Sequence, residues 1–312
     1  MNSVLTTIAS RDYIDAAKQL FSSAYFNGGW AGDFLLLTYQ VPTGELKWFI
    51  DRGIKVKDCQ SLFNRPIGIR RRSPATLNKF YLFIPEFKKW DTVIYLDADT
   101  IVRASLERLK NVKGFWAVGR GWPLKRLFAA TQPALIKELG QKYNLQAEKF
   151  DTTVMAFSTD IIEDTMFDQL KSLFNKYESI NQGGDEDALN LYFYQQWQLL
   201  PQVYAVPFNY LTKHCGVAPG KIDGIIIHHT QKPWQPNHYA FEEWRKNLHQ
   251  AEKIDLKKSV QPNRVWSQEE IKTADYFINR QLHSFKAKLD AAAGIAGRYL
   301  KHRWPRAYKF LR

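Results

Sequence analysis

The sequence predicts an α/β fold in which a mainly parallel sheet is flanked by helices, with a helical extension at the C-terminus. Short apolar, β-prone segments alternate with helically spaced segments in the first hundred residues, a pattern typical of a sheet covered on both faces. From about residue 235 the pattern becomes helical and highly charged. Ligands of such sheets bind at the carboxyl ends of the strands, where we expect the functional site.

Each expected element has a local reason. Tyr13, Ala17, Leu20 and Ala24 recur at helical spacing, whereas DFLLLTY is a continuous apolar run bounded by polar residues. Residues 111–150 are mixed and basic and read as an elaborated surface region. The expected strands are 3–10, 33–39, 93–96, 152–158 and 224–230, and the expected helices are 11–26, 45–53, 78–87 and 187–197.

The composition of the chain limits the classes of protein and of partner that fit it. The 312 residues include 10 Trp, 15 Tyr and 20 Phe, which indicates a folded globule with a substantial core. The net charge of +13 calls for an anionic partner, either nucleic acid, a membrane surface or a phosphorylated substrate. Only Cys59 and Cys215 are cysteines, which suits a reducing compartment. We see no signal peptide and no apolar run long enough to span a membrane, so we expect a cytoplasmic protein that is either soluble or attached to a membrane from outside.

The segment TVIYLDADT places two carboxylates at the end of a buried strand. Residues i and i+2 of an extended chain point the same way, so Asp97 and Asp99 can converge on one point. Two close carboxylates repel unless a proton or a cation lies between them. Oxygen ligands at a strand end suit Mn²⁺ or Mg²⁺ that also holds a diphosphate. The alternative is that these aspartates only cap a turn, a common role at strand ends.

Three further motifs accompany this acidic pair in order: LTTIASRDYIDAA near the N-terminus, FDTTVMAFS with NQGGDEDALNLYF in the middle, and IIIHHTQKPW near residue 230. With LNKFYLF just before the acidic pair, they resemble the retaining glycosyltransferases of family 8, which include glycogenin and bacterial lipopolysaccharide galactosyltransferases. The resemblance covers about residues 3–235. It implies the Rossmann-like GT-A fold, a UDP-sugar donor, Mn²⁺ (or Mg²⁺) and transfer with retention at the anomeric carbon.

The resemblance also implies roles for individual residues. The N-terminal motif would hold the uridine, Lys79 would reach the phosphate or sugar of the donor, and His228 would be the third metal ligand, with His229 turned the other way. The implied nucleotide contacts are Ile8, Ser10, Asp12, Tyr13, Lys79, Asp97, Ala98, Asp99 and Lys232, and the implied metal ligands are Asp97, Asp99 and His228. The neighbouring Arg70, Arg71 and Arg72 are expected to form only a solvated basic loop.

Three carboxylates in the middle motif are candidates for contact with the transferred sugar. Gly183 and Gly184 allow a tight turn beside a ligand, after which Asp185 would bind sugar hydroxyls or cap a helix. Glu186, where the family tends to have Gln, is a candidate nucleophile for a covalent route, with sugar positioning as its alternative role. Asp185 and Asp151, the latter where the family has Asn, are its rivals. We favour a route in which the acceptor attacks the anomeric carbon from the same face that the leaving group departs from. The catalytic candidates are Asp151, Asp185, Glu186 and Lys79.

The chain departs from the family pattern at two other places. Thr153 stands where the family has Gly, and the Gly common between His and Lys-Pro-Trp is missing, with Thr230 and Gln231 in a shortened loop. They leave the sugar open, with glucose or galactose expected, and the expected acceptor is a glycan, a glycolipid or a protein.

The expected organisation is a catalytic domain at 1–240, with a nucleotide-binding half at 1–103 and an acceptor half at 104–240, followed by a basic helical extension at 241–312. In the extension, Leu300, Trp304, Tyr308 and Leu311 recur at helical spacing among basic residues. This suits a helix on an anionic membrane surface, although a solvated terminal helix packed on the core is the alternative.

Two other functions fit parts of the sequence. A sugar-nucleotide nucleotidyltransferase also uses acidic metal ligands, but it would normally carry a Gly-rich loop after its first strand, and IASRDYID has no Gly. A nucleic-acid-binding protein fits the charge, but no dedicated motif supports it, and we expect no nucleic acid as a partner.

Overall fold

The structure is a computed structural model and describes residues 2–230 and 232–284. The described part of the chain contains ten strands and eight α-helices. The strands are β1 (Ser3–Ser10), β2 (Asp33–Tyr39), β3 (Lys55–Asp58), β4 (Thr92–Leu96), β5 (Thr100–Val102), β6 (Phe115–Pro123), β7 (Glu148–Ser158), β8 (Trp197–Leu200), β9 (Val206–Pro207) and β10 (Ile226–His228). The helices are α1 (Ile14–Phe26), α2 (Thr43–Asp51), α3 (Pro133–Lys142), α4 (Met166–Tyr177), α5 (Asp185–Tyr192), α6 (Phe208–Cys215), α7 (Phe241–Ala251) and α8 (Gln268–Leu282).

Within the described residues, seven strands form one sheet in the order β3-β2-β1-β4-β7-β6-β8, and β5-β10-β9 form a second. In the large sheet only β7 runs against its neighbours, so the mainly parallel α/β fold is confirmed. The chain leaves β1 toward β2 on one side and returns to β4 on the other side. This reversal of strand order creates a crevice at the carboxyl ends of β1 and β4.

The sheet is covered on both faces, as its apolar strands predict. In β4, Ile94 and Leu96 belong to the core cluster that contains α1, whereas Val93 and Tyr95 belong to the cluster on the opposite face. The side chains of α7 and α8 contribute to the first of these clusters through Ala251, Ile271, Ile278 and Leu282. The division of the chain at residue 240 stays a prediction.

The expected helices at 78–87 and 187–197 differ from the structure. The first is a pair of 3-10 helices, Pro74–Phe83 and Pro85–Lys89, because Pro85 forces Ile84 into an extended conformation between them. The second is α5, which ends at Tyr192 and is followed by β8. Residues 111–150 are also more than a surface elaboration, since β6 lies inside the large sheet.

None of the helices in the described ranges is long and apolar enough to cross a lipid bilayer. The basic residues for which we expected membrane binding, 298–312, lie outside the described residues.

Candidate functional site

A pocket of about 450 Å³ lies at the crevice between β1 and β4. Most of the site residues expected from the sequence line it, together with side chains that the sequence did not single out. The expected residues in its wall are Ile8, Ser10, Tyr13, Lys79, Asp97, Ala98, Asp99, Asp151, Asp185, Glu186 and His228. The additional ones include Arg72, Thr76, Tyr95, Thr152, Thr153 and Thr230.

Asp97, Asp99 and His228 form a compact cluster, with one ligand atom from each lying within 4.8 Å of the others. The acidic pair follows β4 directly, and β5 begins at the next residue after Asp99. Because β10 pairs with β5 in antiparallel register, His228 lies opposite Thr100 and beside the two carboxylates. The second, small sheet therefore delivers the distant imidazole to the acidic pair.

The two histidines of the downstream motif have different environments. His228 directs Nε2 toward Asp99 Oδ1 at 3.6 Å, while its Nδ1 lies 3.3 Å from the Thr153 hydroxyl. Burial opposes the charged imidazole, but Asp99 and then Asp151 outweigh it and raise the pKa of His228. His229 is fully buried against Phe208, and burial lowers its pKa well below the usual value. Only His228 lines the pocket.

Asp97 has one oxygen engaged by protein groups. Its Oδ1 accepts a hydrogen bond from the Tyr95 hydroxyl at 2.5 Å and lies 3.1 Å from Lys79 Nζ. Burial foremost, together with the carboxylate of Asp99, raises the pKa of Asp97 to about 6 in spite of the opposing charge of Lys79. The geometry orients the carboxylate and leaves Oδ2 outside these contacts.

Lys79 is a buried cation that joins the acidic pair to the middle motif. Its Nζ lies 3.1 Å from Asp97 Oδ1 and 3.1 Å from Asp185 Oδ2, and it donates to the carbonyl and hydroxyl oxygens of Thr152 at 3.2 and 3.0 Å. Burial disfavours its charge, but Asp185 and Asp97 more than compensate and raise its pKa. An ammonium has only three protons, so these contacts satisfy it without a donor phosphate.

Asp185 is the first residue of α5, and Gly184 is the N-cap. The capping role considered for Asp185 therefore does not apply; its Oδ2 instead accepts from Thr152 Oγ1 at 2.7 Å and pairs with Lys79. Gly184 has φ of +77°, which favours glycine. A Cβ on Gly183 would lie 2.0 Å from Asp187 Oδ1, so this turn has no room for a side chain.

Asp151 and Glu186 each have a dedicated cation. Arg120 Nε donates to Asp151 Oδ2 at 2.8 Å, and the Thr153 backbone donates to Oδ1 at 2.9 Å. Burial opposes the charge of Asp151, but Arg120 foremost holds its pKa well below the usual range. Lys149 donates to Glu186 Oε1. Burial nevertheless raises the pKa of Glu186.

Two expected contacts are not in the pocket. Asp12 is exposed and lines a separate groove on the side of α1 and α2, because the chain turns into a 3-10 helix after Ser10. Lys232 is exposed and is not part of the pocket wall. Its neighbour Trp234 packs edge-on against Tyr13 at 5.4 Å between ring centroids, which ties this motif to the N-terminal one.

The sequence reasoning missed the cations Arg72, Arg120 and Lys149. One local signal was available, since Lys149, Asp151 and Thr153 alternate along β7 and so share one face. Arg72 was expected to be solvated, but it is half-buried, lines the pocket and donates to the carbonyl of Gln182 at 3.1 Å.

The region of the chain that contains this site matches a known protein family. The model of Glycosyl transferase family 8 matches residues 54–238, more than half of the chain. The matched range contains the acidic pair, β7, the glycine turn and His228. No curated protein matches the chain.

Solved structures share the fold. The bifunctional glycosyltransferase WbbM in apo form is 15% identical with a TM-score of 0.59, and the match covers 82% of this chain and 52% of WbbM. GlyE of Streptococcus pneumoniae TIGR4 is 19% identical with a TM-score of 0.57, covering 82% of this chain and 62% of GlyE. Galactosyltransferase LgtC, in complex with donor and acceptor sugar analogs, is 16% identical with a TM-score of 0.59, and the match covers 79% of this chain and 95% of LgtC. This chain thus spans only part of WbbM and GlyE.

Proposed function

The chain belongs to glycosyltransferase family 8 and is a glycosyltransferase, and from this premise we propose that it moves a hexose, glucose or galactose, from a UDP-sugar to a sugar-containing acceptor with retention. The observation that carries the proposal is the convergence of Asp97, Asp99 and His228 in a pocket between β1 and β4. A divalent cation suits this crevice, because two carboxylates and an imidazole face it, and a cation bound there would in turn hold a diphosphate.

The ligand set suits Mn²⁺ or Mg²⁺ through its chemistry. Two carboxylates and one imidazole offer a hard, anionic site, and each ligand is oriented by a neighbour. The Thr153 hydroxyl lies at His228 Nδ1, so Nε2 faces Asp99, and the Tyr95 hydroxyl fixes Asp97. A bound cation supplies Lewis-acid stabilisation to a departing diphosphate.

In this proposal Lys79 is a positioning residue. Its contacts with Asp97, Asp185 and Thr152 use its protons, so it fixes the metal-facing carboxylate relative to the sugar-facing one. Its buried charge also makes the local field more favourable to an anionic leaving group without direct contact. The Lys79 contact with donor phosphate expected from the sequence is thus not needed.

For transfer with retention at the anomeric carbon, the structure supports attack by the acceptor from the same face that the UDP leaves, in preference to a route through a covalent intermediate. A covalent route needs a carboxylate that is free to attack the anomeric carbon. Asp151 has both oxygens engaged, by Arg120 and by the Thr153 backbone. Asp185 pairs with the buried Lys79, and Glu186 pairs with the half-buried Lys149. Such cation-paired carboxylates are suited to holding sugar hydroxyls, which is the role we propose for Asp185 and Glu186.

At the nucleoside end, we propose that Ile8, Ser10 and Tyr13 hold the uridine. Tyr13 lies at the rim and is supported by Trp234. Burial, and then the charges of Asp99 and Asp97, raise the pKa of its hydroxyl, so it stays a neutral hydrogen-bonding group at the pH of the cell. Stacking of a base on such a ring is worth about 1–3 kcal/mol.

The proposal is tested with a panel of UDP- and GDP-sugars, with and without Mn²⁺ and without acceptor. We expect UDP-glucose or UDP-galactose to be hydrolysed slowly in a Mn²⁺-dependent reaction, and UDP with Mn²⁺ to raise the melting temperature. Activity that is indifferent to metal, or stabilisation by GDP-sugars alone, would overturn it. Release of pyrophosphate from a nucleoside triphosphate and a sugar phosphate would instead indicate a nucleotidyltransferase.

A further inference from the structure

A second, smaller groove of about 190 Å³ opens beside the pocket, and basic side chains line it. Three residues, Arg72, Gly183 and Glu186, belong to the walls of both cavities, so the two are continuous. The other side chains of the groove include Arg70, Trp122, Arg126 and Lys149. We refer to it as the arginine groove.

We propose that the arginine groove binds a negatively charged group, a phosphate or a carboxylate, on the acceptor sugar. The inference rests on the proposed function, because it takes the larger pocket to be the donor site. It adds to that function the class of acceptor, namely an anionic saccharide.

The position of the arginine groove along the sheet places it on the acceptor side. The residues of the pocket wall follow the strand order, with Ile8 on β1, Asp97 after β4 and Asp151 on β7. The arginine groove continues this series, since Lys149 lies on β7 and Trp122 on β6. It therefore lies on the side away from the proposed uridine site and next to Glu186, the residue proposed to hold the transferred sugar.

The charge of the arginine groove suits an anion. Four of its side chains are cationic and one, Glu186, is acidic, and Lys149 already contacts that carboxylate. Arginines are the preferred partners of phosphates and carboxylates, which they bind through paired N–H groups. Among the described residues, the wall of the groove thus carries more cationic than acidic side chains.

The arginines are also held in position, which a solvated basic loop does not require. Arg126 lies over the Trp122 ring at 3.8 Å from its centroid, and both side chains are half-buried. Arg72 donates to the backbone carbonyl of Gln182 at 3.1 Å, and Arg70 to the Gln182 side chain at 3.3 Å.

The test is calorimetric titration of four probes into the full chain with UDP and Mn²⁺ filling the donor site: glucose, glucose 6-phosphate, glucuronate and inorganic phosphate. We expect at least one anionic sugar to bind roughly tenfold more tightly than glucose, and Arg126→Gln or Arg70→Gln to remove most of that difference. Comparing glucose 6-phosphate with glucuronate identifies the anionic group. Lys125→Gln is the matched control, because Lys125 neighbours Arg126, is exposed and lies outside the groove.

Equal binding of glucose and both anionic sugars would overturn the inference, as would equal losses in the Arg126 and Lys125 variants. Inorganic phosphate that binds as tightly as glucose 6-phosphate would also overturn it, since the sugar would then contribute nothing. Failure of the proposed function would give a different result, in which neither the wild-type protein nor Lys125→Gln binds UDP or hydrolyses UDP-sugars. Anion binding by the arginine groove is then measured in titrations without nucleotide, so the two failures are distinguishable.

Discussion

The pocket has two groups of carboxylates, and they differ in how their charge is compensated. Asp97 and Asp99 lie beside each other and an imidazole, and the lysine that contacts Asp97, Lys79, also contacts Asp185. On the β7 side, Asp151 pairs with Arg120 and Glu186 pairs with Lys149. The first group therefore has negative charge in excess. The negative charge of the second group is neutralised by basic side chains of the protein itself.

This difference assigns the two groups different tasks. Uncompensated carboxylates that converge on one point call for an external cation, which explains why two acids can follow a buried strand so closely. Matched carboxylates need no cation and can fix neutral hydroxyls with their orientation locked. The pKa of Asp97, raised to about 6 chiefly by burial, and that of Asp151, held well below its usual range despite burial, follow the same division.

Removing the cation shared by the two sides is expected to have the largest effect. Lys79→Met leaves the buried Asp185 and the half-buried Asp97 without their common partner, which costs about 3–5 kcal/mol of unfolding free energy. Denaturant unfolding measures this loss. Lys47→Met is the control, because the Lys47–Asp51 pair is exposed and such pairs contribute about 0–1 kcal/mol. Equal losses in the two variants would show that Lys79 does not hold the site together.

The metal-facing and the cation-matched carboxylates are compared directly by Asp99→Asn and Asp151→Asn. We expect Asp99→Asn to weaken Mn²⁺ binding roughly 100-fold or more, because a charged ligand is lost. Asp151→Asn should change Mn²⁺ affinity only about threefold, since Arg120 rather than a metal neutralises that residue. Isothermal titration with Mn²⁺ in the presence of UDP distinguishes them. Similar affinities in both variants would remove the distinction between the two groups.

Glu186→Gln tests whether the matched carboxylates take part covalently. Under same-face attack, we expect transfer or donor hydrolysis to fall by no more than about tenfold, because an amide can still hold a sugar hydroxyl. Loss of a nucleophile would instead reduce turnover by several orders of magnitude. Single-turnover measurements with trapping of a glycosylated chain provide the check, and a trapped adduct on the wild type that is absent in the variant would contradict the account.

The smallest effect is expected at Asp12. Its side chain is exposed outside the pocket, so Asp12→Asn should leave the dissociation constant for UDP within about twofold. Tyr13→Ala, one residue away and in the pocket wall, should weaken UDP binding more than about fivefold. If Asp12→Asn weakens UDP binding more than Tyr13→Ala does, the nucleotide lies on the Asp12 side of the 3-10 turn and not in the pocket.

The sequence was informative where function depends on local pattern. The alternation of Asp97 and Asp99 after an apolar strand predicted their convergence, and the family resemblance supplied His228 as the third residue of the cluster. The buried strand itself, β4, coincides with the expected one to within a residue. The acidic pair and its strand follow from local strand geometry and depend little on the rest of the chain, whereas His228 reaches them through the pairing of β10 with β5.

The sequence was less informative where the site depends on long-range packing. The partners Lys149 and Glu186, or Arg120 and Asp151, are more than thirty residues apart and meet only because β6, β7 and α5 pack together. The position of Lys79 between two carboxylates depends on a 3-10 helix that was expected to be an α-helix. Asp12 and Lys232 fall outside the pocket because of the course of individual turns, which periodicity does not specify.

The central claim is that Asp97, Asp99 and His228 jointly hold one divalent cation. The direct measurement is pulsed electron paramagnetic resonance of Mn²⁺ bound to the chain with UDP. We predict one bound Mn²⁺ per chain whose spectrum shows coupling to an imidazole nitrogen, and loss of that coupling in His228→Ala. Bound Mn²⁺ with no nitrogen coupling, or coupling that survives in His228→Ala, would contradict the account.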